Sequence, residues 1–281
     1  MMASSRVRKL LIGEWSWKRL VKSVLLIYGF LFIYGMFFAE RIIFQPQPSS
    51  YQDGVWIEKL TTTDGVKISS RHYPNPKATY TLLYSHGNAE DLGDIQPMLE
   101  ELVPMGFSVF AYDYHGYGTS GGKPTEANTY RDIDAAYEYL TGTLHVPPDR
   151  ILVYGRSVGG GPTVDLASRK PVGGLILESP FLTAFRVLTR VPILPFDRFR
   201  NVSKIPSVKC PVLVMHGRKD RVISFFHGRT LFERANNPKR CLWVDDAGHD
   251  NVPWVAGPAY AKTLKEFVEL VDASRGSKPE K

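Results

Sequence analysis

Cysteine is scarce: Cys210 and Cys241 are the only two in 281 residues. That excludes a disulfide-built scaffold, and neither has the CxxC or His/Cys spacing of a metal site. Each opens an apolar, strand-like run, Cys210-Pro-Val-Leu-Val-Met and Cys241-Leu-Trp-Val. If those runs are neighbouring strands, the two could form one disulfide in an oxidising compartment; the alternative is two unpaired buried thiols, and both stay open. Internal repeats and low-complexity tracts are also missing, which excludes a solenoid or an array. With 43% apolar and 22% charged residues the chain is not intrinsically disordered. Its length suits one α/β domain plus an extension.

The formal net charge is +7, which on its own suggests nucleic acid or a membrane surface. The excess is not spread evenly. Arg6, Arg8, Lys9, Lys18, Arg19 and Lys22 face only Glu14 in the first 22 residues. The stretch from Ser23 to Val271 is close to neutral, so no nucleic-acid partner is expected.

Ser23 to Ala39 holds no charge in 17 residues. As a helix at ~1.5 Å per residue this reaches roughly 26 Å, near the lower bound for a bilayer. A cleaved signal peptide has a shorter apolar core and an A-x-A site, and Phe37-Phe38-Ala39 is a poor one. A buried core helix leaves the six preceding basic residues unexplained. The expectation is a signal anchor: 1–22 a cytoplasmic basic segment, 23–39 the span, and the remainder on the non-cytoplasmic side by the positive-inside rule. Asn201-Val202-Ser203 matches a glycosylation sequon.

Residues 40–53 read as a connector, 54–272 as the main domain and 273–281 as a flexible tail. Alternation over Val55–Thr61 and Val66–Tyr73, with Asp64-Gly65 between, predicts a β-hairpin. Strands at Thr79–Tyr84, Ser108–Tyr112, Ile151–Tyr154, Leu175–Leu177, Val212–Met215 and Leu242–Val244 follow. They alternate with helices at Asp94–Met105, Glu126–Leu140, Gly159–Arg169, Phe226–Ala235 and Ala259–Val271. That rhythm is an α/β fold, a mostly parallel central sheet with helices on both faces. Residues 181–209 interrupt it with Phe181, Leu182, Phe185, Leu188, Ile193, Leu194 and Phe196 among prolines and Arg186, Arg190, Arg198 and Arg200. This is a short lid-like insertion.

Gly155-Arg156-Ser157-Val158-Gly159 follows a strand and opens a helix. A turn that sharp requires small residues and holds the serine hydroxyl above the sheet edge. The hydroxyl needs a base, and the base needs an orienting carboxylate. On such a turn acid and base follow the serine in chain order. Asp220 stands just past one strand and His249 just past the next. Asp245, Asp246 and Asp250 compete as the acid, but lie beside His249 in sequence and are poorly placed for its far nitrogen. The oxyanion needs backbone donors: Val158 after the nucleophile, and Asn88, with Ala89 second, in the loop Ser85–Ala89. His86 and Asp113 are expected to be structural. Gly116 to Pro124 is glycine-rich, yet Tyr117 and Pro124 break the phosphate-loop pattern.

His86-Gly87-Asn88-Ala89, Tyr112-Asp113-Tyr114-His115-Gly116-Tyr117-Gly118, Gly155 to Gly159, His216-Gly217 through Asp220, and Gly248-His249 resemble the α/β-hydrolase family. The resemblance spans roughly residues 40–271 and is strongest to a membrane-anchored branch that includes depalmitoylases and lysophospholipases. It implies the α/β-hydrolase fold and a Ser157–His249–Asp220 triad. The branch that removes palmitate from cytoplasmic proteins has a cysteine-rich N-terminus; this chain has no cysteine before Cys210, which points away from that role.

The expected reaction is serine hydrolysis of a carboxylic ester or thioester through an acyl-enzyme, with a small-molecule or lipid acyl substrate such as a lysophospholipid. No metal or organic cofactor is required, and a monomer is expected. A serine peptidase on the same triad and a non-catalytic scaffold are the alternatives. A dehalogenase or epoxide hydrolase would need Asp where Ser157 stands.

Overall fold

A computed structural model describes residues 16–189 and 191–276. Arg6, Arg8, Lys9 and Glu14 of the basic segment, Arg190 of the insertion and residues 277–281 of the tail lie outside the described residues. The chain divides into two compact units, Met1–Ile42 and Ile43–Lys281.

In the first unit, helix α1 (Trp17–Phe37) runs for 21 residues. It begins six residues before the apolar run and takes in Lys18, Arg19 and Lys22. Lys and Arg are good helix formers, so charge ends the apolar stretch without ending the helix. Its length of roughly 32 Å matches a bilayer core. Leu25, Leu26, Ile27 and Phe30 are all exposed, as lipid-facing side chains would be. A short helix, α2 (Ala39–Ile43), follows.

The second unit is built on one eight-stranded sheet. Its strands are β1 (Glu58–Thr61), β2 (Lys67–Tyr73), β3 (Tyr80–Ser85), β4 (Phe107–Tyr112), β5 (Ile151–Arg156), β6 (Gly174–Glu178), β7 (Val212–Gly217) and β8 (Lys239–Val244). Their spatial order is β1-β2-β4-β3-β5-β6-β7-β8. β1–β2 and β2–β4 are antiparallel and every later pairing is parallel. β1 starts later than the alternation suggested, because Val55 and Trp56 are exposed and bury no face.

Helices α3 (Gln96–Leu102), α4 (Glu126–Glu138), α5 (Gly160–Arg169), α6 (Ala184–Thr189), α7 (Asn201–Lys204), α8 (Phe225–Arg234), α9 (Val252–Ala256) and α10 (Pro258–Gly276) complete the domain. Thr125 caps α4, its hydroxyl accepting the Asn128 N–H at 3.0 Å. The strand pleat splits the apolar residues between two cores. Leu83, Val153, Leu175 and Val214 pack with α4, α5 and α8. Leu82, Leu152, Ile176 and Leu213 pack with α3 and α10. Side chains such as Leu82 and Val153 are fully buried, each stabilising the fold by about 1.5–3 kcal/mol.

Residues 43–53 are laced into the domain rather than forming a loose connector. Phe44 is buried edge-on to Phe199, with ring centroids 5.8 Å apart. Asn88 Nδ2 donates to the Ile43 carbonyl at 2.8 Å, and Gln45 N–H donates to Asn88 Oδ1 at 3.0 Å. Ser50 N–H donates to Asp91 Oδ2 at 2.7 Å, and Tyr51 Oη donates to Asp113 Oδ2 at 2.5 Å.

Two sequence alternatives resolve. Neither Cys210 nor Cys241 is in a disulfide, and both are half-buried rather than buried. Cys241 lies opposite Val214 in the β7–β8 register, four residues past Cys210, or roughly 13 Å along a strand and beyond disulfide reach. The sequon is closed: Asn201 is fully buried and its Nδ2 donates to the Phe181 carbonyl at 3.0 Å.

Candidate active site

Parallel strands send their carboxyl ends to one edge of the sheet, and the loops at that edge collect the polar residues. β5 ends at Arg156 and α5 starts at Gly160, leaving one tight turn, Ser157–Gly159. Ser157 has φ +51°, a left-handed conformation that non-glycine residues adopt only under constraint. The constraint is close packing. A Cβ on Gly155 would stand 2.5 Å from the Gly159 carbonyl oxygen, and one on Gly159 would stand 2.1 Å from that of Ser85. Glycine is therefore required on both sides of the serine.

The Ser157 hydroxyl lies 2.9 Å from His249 Nε2, and His249 Nδ1 lies 2.8 Å from Asp220 Oδ2. A proton on Nδ1 is donated to the carboxylate, leaving Nε2 to accept from the hydroxyl. Asp220 is buried, and its Oδ1 accepts the N–H groups of Val222 and Ile223 at 2.8 and 2.7 Å. Burial pushes the carboxyl pKa up, but hydrogen bonds from His216 and His249 more than offset it and hold it far below the usual range. The competing acids are elsewhere: Asp245 pairs with Arg218 at 2.8 Å, Asp246 with Lys219 at 2.6 Å and Asp250 with Arg156 at 2.8 Å.

The loop after β3 comes to the same place. The Gly87 position is in van der Waals range of Ser157, 3.8 Å from a Cβ built there to the serine Cβ. The Asn88 side chain is engaged with residues 43–45 and with Tyr117 Oη at 2.6 Å. A contribution from Asn88 to an oxyanion would thus come from its backbone N–H. Ala89 has φ +57°. Val158 N–H opens the turn into α5, where unpaired amides gather.

His86 is fully buried. Its Nδ1 donates to the Gly87 carbonyl at 2.7 Å and its Nε2 lies 3.3 Å from Asp113 Oδ1. Burial disfavours the imidazolium, but the hydrogen bond and charge of Asp113 win and raise the pKa. Asp113 also accepts Leu92 N–H at 3.0 Å, so the pair anchors the loop that follows. Sequence reasoning passed over His216, whose Nε2 lies 3.2 Å from Asp220 Oδ2, and Arg156. The available signals were His216 ending a strand four residues before Asp220, and a charged side chain inside an otherwise small-residue turn. Among the described residues no group of three or more His, Cys, Asp or Glu side chains is arranged to hold a metal ion.

In the insertion, Phe181, Leu182 and Phe199 are buried, while Leu188, Val191 and Ile193 are exposed. Its base is core and its tip is an apolar surface.

A protein-family model described as "Serine aminopeptidase, S33" matches residues 75–195, a span that includes Ser157 but not Asp220 or His249. Alpha/beta hydrolase domain-containing protein 17B of Homo sapiens is 44% identical over 203 residues, covering 70% of each chain. Alpha/beta hydrolase domain-containing protein aho-3 of Caenorhabditis elegans is 44% identical over 200 residues, covering 70% of this chain and 60% of that one. Among solved structures, the esterase Pf2001 of Pyrococcus furiosus aligns with a TM-score of 0.67 at 22% identity, over 80% of this chain and 98% of that one. Est1E of Butyrivibrio proteoclasticus, solved with ferulic acid, aligns with a TM-score of 0.62 at 19% identity, over 76% and 99%. At those identities the structural likeness speaks to fold.

Proposed function

The chain belongs to the α/β-hydrolase family, and from that premise we propose that it is a serine hydrolase of carboxylic esters or thioesters. One observation carries the reading: the unbroken sequence of contacts from Ser157 Oγ to His249 Nε2 at 2.9 Å and from His249 Nδ1 to Asp220 Oδ2 at 2.8 Å. His249 removes the serine proton as Oγ attacks the acyl carbonyl, and Asp220 holds the imidazole and stabilises its charged form. The Val158 and Asn88 amides receive the oxyanion. His249 then protonates the leaving alcohol or thiol, and water, deprotonated by the same imidazole, releases the acid and restores Ser157. The exposed apolar tip of the insertion suits a lipid-like acyl substrate, a lysophospholipid among them.

The apolar helix α1 is read as a single-pass anchor. By the positive-inside rule, the basic residues before it support an orientation with the N-terminus in the cytoplasm and the hydrolase domain on the other side. Protease added to sealed vesicles of known orientation tests this. Digestion of residues 43–281 from the cytoplasmic side overturns that orientation.

A serine peptidase is the second reading, favoured by the family description over residues 75–195. Rates on p-nitrophenyl acyl esters, acyl thioesters and aminoacyl anilides, each compared with Ser157→Ala, separate the two. Ester or thioester turnover that vanishes in the variant is expected; preference for the anilides overturns the esterase reading.

A further inference from the structure

The residue between Gly155 and the serine is an arginine, and no step of the proposed reaction uses it. Arg156 is 7% exposed. Its Nη1 donates to Glu90 Oε1, its Nη2 donates to Asp250 Oδ1 at 2.8 Å, and its Nε lies 3.7 Å from Glu178 Oε1. The three carboxylates come from three different strand-end segments. Glu90 follows β3 in the loop that carries Asn88, Glu178 ends β6, and Asp250 is the residue after His249. The second oxygen of Glu90 turns inward and accepts the Gly87 N–H at 2.9 Å. A Cβ on Gly87 would meet that oxygen at 2.7 Å, so glycine there is what admits the carboxylate.

The backbone beside these groups is constrained. Ala89, Ser157 and Ser179 have φ of +57°, +51° and +48°. Each is adjacent in sequence to a member of the cluster: Glu90, Arg156 and Glu178. Left-handed conformations at non-glycine residues persist only where the surroundings over-determine them. Here the surroundings include one guanidinium with a partner on each side.

We propose that Arg156 is a positioning residue that ties the Asn88 loop and the His249 loop to the nucleophile turn, setting the spacing of oxyanion donors and base about Ser157. This rests on the serine-hydrolase reading. A planar guanidinium has donors in a fixed fork and can reach two carboxylates at once in defined directions. A lysine ammonium, a single point charge on a flexible stem, cannot hold both loops. Burial opposes the guanidinium charge, but Tyr84, Glu90 and Glu178 together more than offset it and raise the pKa. Misplacement of reacting groups by about 1 Å costs roughly a hundredfold in rate, so a clamp between the loops bears directly on turnover.

The test uses the full chain in detergent with four variants: Arg156→Gln, Arg156→Lys, Asp250→Asn and the double variant Glu90→Gln/Arg156→Gln. Two readouts are taken: steady-state ester hydrolysis, and amide hydrogen exchange of residues 86–93 and 246–252. Expected are a kcat about 30- to 100-fold lower in Arg156→Gln with KM within roughly twofold, partial recovery in Arg156→Lys, and no further loss in the double variant. Exchange in both loops accelerates while β5, β6 and β7 stay protected. Asp250 is 73% exposed at its side chain, so Asp250→Asn leaves the core intact and is expected to lose about three- to tenfold in kcat with faster exchange in 246–252 alone. Unchanged exchange in Arg156→Gln overturns the proposal, as does a rise in KM with kcat intact, or a further loss in the double variant beyond that of Arg156→Gln. If the unaltered protein hydrolyses no ester and resists phosphonate probes, the hydrolase reading falls, and loop exchange still decides whether Arg156 is a clamp.

Discussion

His216 and His249 converge on one oxygen: Nε2 of His216 lies 3.2 Å, and Nδ1 of His249 2.8 Å, from Oδ2 of Asp220. His216 Nε2 also donates to the Ile223 carbonyl at 2.9 Å, which fixes the tautomer and turns the N–H toward both acceptors. The carboxylate is therefore held from the strand side by one imidazole while it holds the other.

Replacing His216 with leucine removes that second donor. The expected result is a kcat about tenfold lower with KM unchanged, since a hydrogen bond to a charged group is worth about 1.5–3 kcal/mol and only part of that bears on the transition state. Steady-state ester kinetics check it. A change in KM alone contradicts it.

Asp220→Asn is the more severe change. The amide cannot stabilise the His249 cation and favours the wrong tautomer, so kcat is expected to fall about 10³–10⁴-fold with binding preserved. Because the folded-state pKa of Asp220 is depressed, its contribution to stability is present above the unfolded carboxylate value near 3.9 and is lost as pH falls below it. Urea midpoints between pH 5 and pH 2.5 should therefore drop less steeply in the variant than in the parent.

His227 gives a linkage of the same sign, in a higher pH window. It is buried, and the Leu182 N–H donates to its Nδ1 at 3.2 Å. Burial, with His216 and Arg186 nearby, pushes its pKa down to about 4. The unfolded chain binds a proton near pH 6.5 that the folded chain refuses. Stability is complete above about pH 6.5 and falls toward pH 4. His227→Gln keeps an acceptor for Leu182 and should flatten that slope in chemical denaturation at pH 7.5, 5.5 and 4.5. An unchanged slope contradicts the assignment.

Tyr51 tests whether the segment after helix α2 is part of the domain. Its hydroxyl donates to the buried Asp113, so Tyr51→Phe removes a bond to a charged acceptor. A loss of about 1–3 kcal/mol is expected from urea unfolding at pH 7.5. A loose connector would give no measurable change.

The fold was legible in the sequence because its strands are continuous apolar runs separated by helical spacing, as Leu82, Val153 and Ile176 illustrate. The residues at strand ends were legible too. Ser157 sits in a turn that only small neighbours permit, and Asp220 and His249 directly follow apolar strands. What was hidden depends on partners far along the chain. Residues 43–53 have the composition of a linker, and partners 41 to 155 positions later, Asn88, Asp91, Asp113 and Phe199 among them, make them structure. Arg156 meets Glu90 and Asp250 across 66 and 94 positions. The open disulfide question turned on register, which neither Cys210 nor Cys241 encodes alone.

The central claim is that Ser157 is a nucleophile activated by His249. The most direct measurement is fluorophosphonate labelling of the full chain followed by mass mapping of the modified peptide. One label per chain, on Ser157, is expected, abolished in Ser157→Ala and strongly slowed in His249→Ala. Absence of labelling, labelling of another residue, or equal labelling of Ser157→Ala would contradict it.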